Sequence, residues 1–90
     1  MIREDLKTIL GEEFRLLAIK TRERFKLTQK EMSDRLQMSD SSYSDIERGI
    51  NSPGALTVVL LLNMQDDPNF FLNTIDEKFR SWYEREMTTV

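Results

Sequence analysis

Two helix-start signals lie close together near the middle of this chain, and between them there is room only for short helices. The stretch is LTQKEMSDRLQMSDSSYSDIERG, residues 27–49. Thr28 suits an N-cap, because its hydroxyl can accept from the backbone two or three residues on, and Glu31 completes a capping box. That predicts a helix to about residue 36. Gln37 and Met38 then make a tight connection before Ser39, a second N-cap with Ser42 at the third helical position. The second helix is expected to end near Arg48, where Gly49 suits a left-handed stop. Two such helices can cross closely only over a small side chain, and Ser33 supplies it. Met32, Leu36, Met38, Tyr43 and Ile46 are spaced to hold the second helix down, which leaves its outer face open to solvent.

The rest of the chain reads as helix too. It has only three glycines and two prolines, too few for a strand-and-turn architecture. Leu10, Phe14, Leu17, Ala18 and Thr21 recur at spacings of three and four, predicting a first helix from about residue 6 or 11 to 25. Gly11 is a candidate break in it. Ser52 followed by Pro53 predicts the start of a fourth helix, reaching about residue 64. Asp66 and Asp67 before Pro68 repeat that device for a last helix over about 68–87, with the closing residues 87–90 frayed. The expectation is an all-α fold of five helices forming one domain over residues 1–90.

With 90 residues, the chain leaves no room for a separate catalytic or effector domain. Lacking cysteine and histidine, it excludes disulfides, thiolate chemistry and histidine acid–base catalysis, along with most zinc sites. No glycine-rich phosphate loop, metal-ligand spacing or nucleophile elbow is present, so an enzyme is not expected. Neither a cofactor nor a metal is expected, and no small-molecule effector. Charged residues mixed through the first ten positions argue against a signal peptide. The longest apolar run, residues 58–62, is far too short to span a bilayer. A cytoplasmic location without membrane association is expected. The net charge of −3 is awkward for a nucleic-acid binder, yet it is unevenly spread. Residues 15–35 carry Arg15, Lys20, Arg22, Arg24, Lys26, Lys30 and Arg35 against Glu23, Glu31 and Asp34. That basic run is either a solvated face or a phosphate-binding one.

Thr28-Gln29, Glu31, Ser33, Leu36, Met38-Ser39, Ile46-Glu47-Arg48-Gly49 and Ser52-Pro53, taken in order, resemble the Xre/Cro phage-repressor helix-turn-helix family. The motif covers about residues 28–48, and Arg22 falls where that family usually ends its first helix with arginine. The resemblance implies a lambda-repressor-like, five-helix DNA-binding domain and a role in transcription regulation. It implies that Gln29 binds a DNA phosphate near its helix N-terminus, aided by Lys30, Arg22, Arg35, Ser39, Ser42 and Arg48. Base reading would fall to Asp40, Ser41, Ser44 and Asp45 on the second motif helix. Glu47 is expected to pair with Arg22, and Arg48 either complements its helix dipole or reaches phosphate. Three departures stand out: Gln37 where the family commonly has a turn glycine, Ser33 where it has alanine, and carboxylates at positions 40 and 45. A carboxylate can accept from cytosine N4 but is repelled by flanking phosphates.

The fourth helix is apolar nearly all round, through Ala55, Leu56, Val58, Val59, Leu60, Leu61 and Leu62. Such a helix must be buried on all sides, which one small chain cannot easily do. The last helix carries Phe71, Ile75, Phe79, Trp82 and Met87 at spacings of three to five, with Phe70, Leu72 and Tyr83 beside them. It either folds back to complete the core or forms a two-fold homodimer with Leu60, Phe71, Ile75, Phe79, Trp82 and Tyr83 at the interface. A homodimer on double-stranded DNA is the expectation. The rival is a protein-interaction module, antitoxin-like or partner-binding, that uses these apolar C-terminal helices.

Overall fold

Local capping chemistry sets where the two short central helices begin, and the computed structural model places five helices among the described residues, backbone 2–88 and side chains 4–86. They are α1 (Ile2–Arg24), α2 (Gln29–Arg35), α3 (Asp40–Glu47), α4 (Ala55–Asn63) and α5 (Pro68–Thr88), with no strand. At α2, Thr28 Oγ1 accepts from the Glu31 backbone while the Glu31 carboxylate accepts from the Thr28 backbone, closing the expected capping box. At α3, Ser39 Oγ accepts from the Ser42 N–H. The side chain of Met87, and Thr89 and Val90 at the expected frayed end, lie outside the described residues.

Three helix ends share one device. Leu27 N–H reaches Arg22 O and Lys26 N–H reaches Glu23 O at the end of α1. Met38 and Gln37 make the same pair of bonds to Ser33 and Asp34 after α2, and Ile50 and Gly49 to Asp45 and Ile46 after α3. These are Schellman endings, which require a left-handed residue past the cap. Lys26 (φ 56°), Gln37 (φ 57°) and Gly49 (φ 77°) hold those positions. Only the last is a glycine, so the other two turns form despite the cost of crowding a Cβ. Gln37 offsets part of that cost, since its Nε2 donates to Asp34 O at 3.0 Å.

Two expectations about boundaries are corrected. First, α1 runs straight through Gly11. A Cβ there would lie 3.1 Å from Ser52 Oγ, so the glycine lets the α3–α4 loop press on the helix instead of breaking it. Second, α4 starts after Gly54, not at Ser52–Pro53, and Gly54 caps it without a side-chain bond. Ser52 lies against α1 and is not available as the cap.

The core gathers Phe14 and Ala18 of α1, Met32 and Leu36, Tyr43, Leu61 and Phe71. Helix α5 returns antiparallel along α1. Phe71 meets the Phe14 ring edge-on at 4.9 Å between centroids, Lys78 pairs with Glu13, and Trp82 lies beside Asp5, Thr8 and Ile9. This two-helix arm gives the molecule its 47 Å long axis. Helix α4, apolar nearly all round, is covered by its own chain on one side only, the difficulty expected for one small chain. Only Thr57 and Leu61 are buried, while Leu56 and Val59 remain more than 60% exposed. Among the described residues, no other helix covers that flank.

Glycine at position 37 should relieve the left-handed strain. Gln37→Gly is expected to stabilise the fold by about 0.5–1 kcal/mol, the left-handed cost removed less the entropy glycine adds to the unfolded chain. A urea melt with unchanged slope and a higher midpoint is the expected result. A lower midpoint would mean that the Gln37–Asp34 side-chain bond outweighs the strain.

Candidate nucleic-acid interface

The candidate site begins with a buried carboxylate. Glu47, in the last turn of α3, has a side chain only 8% exposed and accepts four hydrogen bonds on two oxygens. Arg22 forks onto it, Nε to Oε2 at 2.6 Å and Nη2 to Oε1 at 3.1 Å. Gln29 Nε2 donates to Oε1 at 3.0 Å, and the Tyr43 hydroxyl donates to Oε2. Arg22 Nη1 also donates to Leu27 O at 3.2 Å, holding the α1–α2 turn. One carboxylate therefore joins the end of α1, the start of α2 and the inner face of α3. The expected Arg22–Glu47 pair is present.

Burial alone would raise the Glu47 carboxyl. The bonds from Arg22, Tyr43 and Gln29, with the Arg22 charge, outweigh it and hold the group below the usual carboxylate range. Arg22 is correspondingly held above its ordinary value by the Glu47 bond. Burial, then the adjoining carboxylate, pushes the Tyr43 phenol up. Near neutral pH the network is therefore a carboxylate, a guanidinium and a neutral phenol.

The outer side of α3 faces solvent. Ser41 and Arg48 are exposed, and Ser44 and Asp45 half-buried. Their spacing of three, four and seven residues puts them on one helical face. Arg48 Nη1 lies 3.7 Å from Asp45 Oδ1, which offsets that carboxylate locally. Asp40 is exposed but directed partly inward: Ser33 Oγ lies 2.6 Å from Asp40 Oδ1, and Lys30 Nζ lies 4.0 Å from Oδ2. Ser39 and Ser42 are exposed and bonded to one another at 2.8 Å.

The residues expected to touch phosphate separate into two groups. Gln29, Lys30, Arg35, Ser39, Ser42 and Arg48 are exposed around α2 and α3. Arg22 is committed to Glu47 and Leu27. The basic run of α1 is similarly divided, because Arg24 donates to Asp66 and Met64 O while lying 4.7 Å over the Phe25 ring. Of the residues expected at a dimer interface, Phe71 and Trp82 are buried within the chain, Leu60, Ile75 and Phe79 are half-buried, and Tyr83 is exposed.

Two contributors escaped sequence reasoning. Arg15 donates Nη1 to Glu47 O at 3.1 Å, satisfying an orphan carbonyl at the α3 end. Only its place in the basic run marked it beforehand. The Tyr43 hydroxyl joins the network through the four-residue helical spacing to Glu47, a pairing readable from the sequence once burial is known.

With this geometry in place, comparison with known proteins adds one finding. A family model described as helix-turn-helix matches residues 19–64, from the second half of α1 through α4. No curated protein and no solved structure matches the chain. Among the described residues no helix is long and apolar enough to cross a membrane.

Removing the carboxylate charge should be costly and pH-dependent. Because Glu47 titrates lower in the fold than in the unfolded chain, its contribution is complete above the ordinary value of about 4.3 and fades as pH falls through the lower folded value. Glu47→Gln is expected to destabilise by about 3 kcal/mol at pH 7, since it leaves the Arg22 charge unpaired in a partly buried site. The gap between wild type and variant should narrow below pH 4. Denaturation midpoints at pH 7, 5 and 3 check this, and a gap independent of pH would contradict it.

Proposed function

The chain belongs to the Xre/Cro-like helix-turn-helix family, a family of DNA-binding regulatory domains with a lambda-repressor-like fold, and from that membership we propose that it is a transcriptional regulator reading a specific duplex sequence as a homodimer on a two-fold site. The observation that carries this reading is the contrast between the two sides of α3. Its inner side is tied to α1 and α2 through Glu47, so the helix cannot roll. Its outer side carries Ser41 and Arg48, exposed, and Ser44 and Asp45, half-buried. A rigidly held helix with an open polar face suits a DNA major groove.

In this mechanism Gln29, at the first position of α2, gives one amide hydrogen to Glu47 and keeps the other for a phosphate oxygen. Lys30, Arg35 and Arg48 supply charge to the backbone, and Ser39 and Ser42 supply hydroxyls. Serine contacts to base edges are modest, and Asp45 favours cytosine N4. A single domain of this kind would bind weakly, which is why two copies are proposed. The exposed apolar side chains Leu56 and Val59 of α4, and Leu72 and Tyr83 of α5, support self-association through one or both of these helices. The same residues favour the second reading, in which they take a different protein.

Selection from random duplexes, read by anisotropy at two salt concentrations, tests the proposal. An inverted repeat should be enriched. With about three phosphate-facing cations per protomer, log K should fall with log salt at a slope of roughly −5 for a dimer. Gln29→Ala is expected to weaken binding about tenfold on every sequence without changing the preferred site. Leu56→Glu with Val59→Glu should yield monomers that select half-sites. Absence of retained DNA at low salt would reject DNA reading and leave the protein-interaction module.

A further inference from the structure

Ser33 is completely buried where α2 crosses α3, a position at which alanine fills the space with no polar atom to satisfy. A buried hydroxyl without a partner is costly. Here the oxygen lies 2.7 Å from Lys30 O, within its own helix, and 2.6 Å from Asp40 Oδ1, at the first position of α3. The hydroxyl has one hydrogen to give, and the carboxylate is the stronger acceptor. Asp40 Oδ2 faces the Lys30 ammonium. The carboxylate also sits in the first turn of α3, where the helix dipole favours negative charge. Around the α3 axis, Asp40 lies between Glu47 and Ser44, at the boundary between the inward side and the face of Ser41, Ser44, Asp45 and Arg48, so its bonds decide which way it is committed.

We propose that Asp40 is a positioning residue: with Ser33 it forms a latch that sets how the N-terminal end of α3 sits on α2, and it does not read a base. The two departures from the family pattern, a serine for an alanine and an acid at the start of the second motif helix, are then one device. Glu47 fastens the C-terminal end of α3 and the Ser33–Asp40 bond fastens its N-terminal end. Base-edge contact contracts to Ser41, Ser44 and Asp45.

The test has two arms, of which only the second rests on the DNA-binding reading. In the first, unfolding is measured for wild type, Ser33→Ala, Asp40→Ala and the double variant. Each single change should raise the unfolding constant about tenfold, the worth of a hydrogen bond to a charged group, and the double variant should show the same rise of about tenfold over wild type, not about a hundredfold. Independent, multiplying effects would overturn the latch. In the second arm, Asp40→Asn is put through duplex selection beside the wild type. Asparagine keeps the oxygen that accepts from Ser33, so stability should stay within about threefold of wild type and the selected site should be unchanged. Were Asp40 a base reader, the substitution would exchange a cytosine-accepting carboxylate for an adenine-reading amide. A change at one position of the selected site from cytosine towards adenine would overturn the proposal. If the wild type selects no duplex, the DNA-binding reading fails, and the double-mutant cycle alone decides the latch.

Discussion

A carboxylate taken out of water must be surrounded by donors or it unfolds what buried it. Glu47 meets that demand with the Arg22 fork, Gln29 and Tyr43, drawn from three helices. A shift of α1 against α3 would part the Arg22–Glu47 charges, and a shift of α2 would cost the carboxylate its Gln29 bond. The seating of α2 on α3 thus draws on the short turn between them, on the core of Met32, Leu36 and Tyr43, and on the Gln29 bond to the same carboxylate. Arg15 and Arg22 add bonds to the Glu47 and Leu27 carbonyls, so that two arginines of α1 hold both the end of α3 and the turn leading into α2.

Around this anchor the chain tolerates local cost. Lys26 and Gln37 take left-handed backbone that glycine would adopt freely, because the Schellman bonds and the burial of Leu36 close by outweigh a cost of roughly 1–2 kcal/mol each. The acidic character of the second motif helix is likewise moderated in place. Asp40 is met by Ser33 and Lys30, and Asp45 by Arg48. A net charge of −3 then says little about the face of α3, where each carboxylate has a nearby counter-charge.

The last two helices divide between core and surface. Phe71 and Trp82 face α1 and complete the intrachain packing. Leu56, Val59, Leu72 and Tyr83 remain exposed on other flanks. An apolar helix in a small domain can cover one side with its own chain and has nothing left for the other, because surface grows relative to volume as a domain shrinks.

Much was legible in the sequence because it depends on neighbours a few residues apart. Thr28 with Glu31 and Ser39 with Ser42 are local capping bonds, and Gly49 is a local stop, so the two short helices and their places followed from residue order alone. The Arg22–Glu47 pair was legible through the family pattern, which carries a long-range contact in a local string of residues. What only the tertiary structure decided were contacts between distant positions. Ser52 settles on Gly11, which keeps α1 whole and moves the start of α4 to Gly54. Ser33 turns one oxygen of Asp40 inward, and Phe71 and Trp82 are buried within the chain against α1. Such pairings depend on which surfaces meet when helices cross, and periodicity within one helix gives the direction of a face but not what lies opposite it.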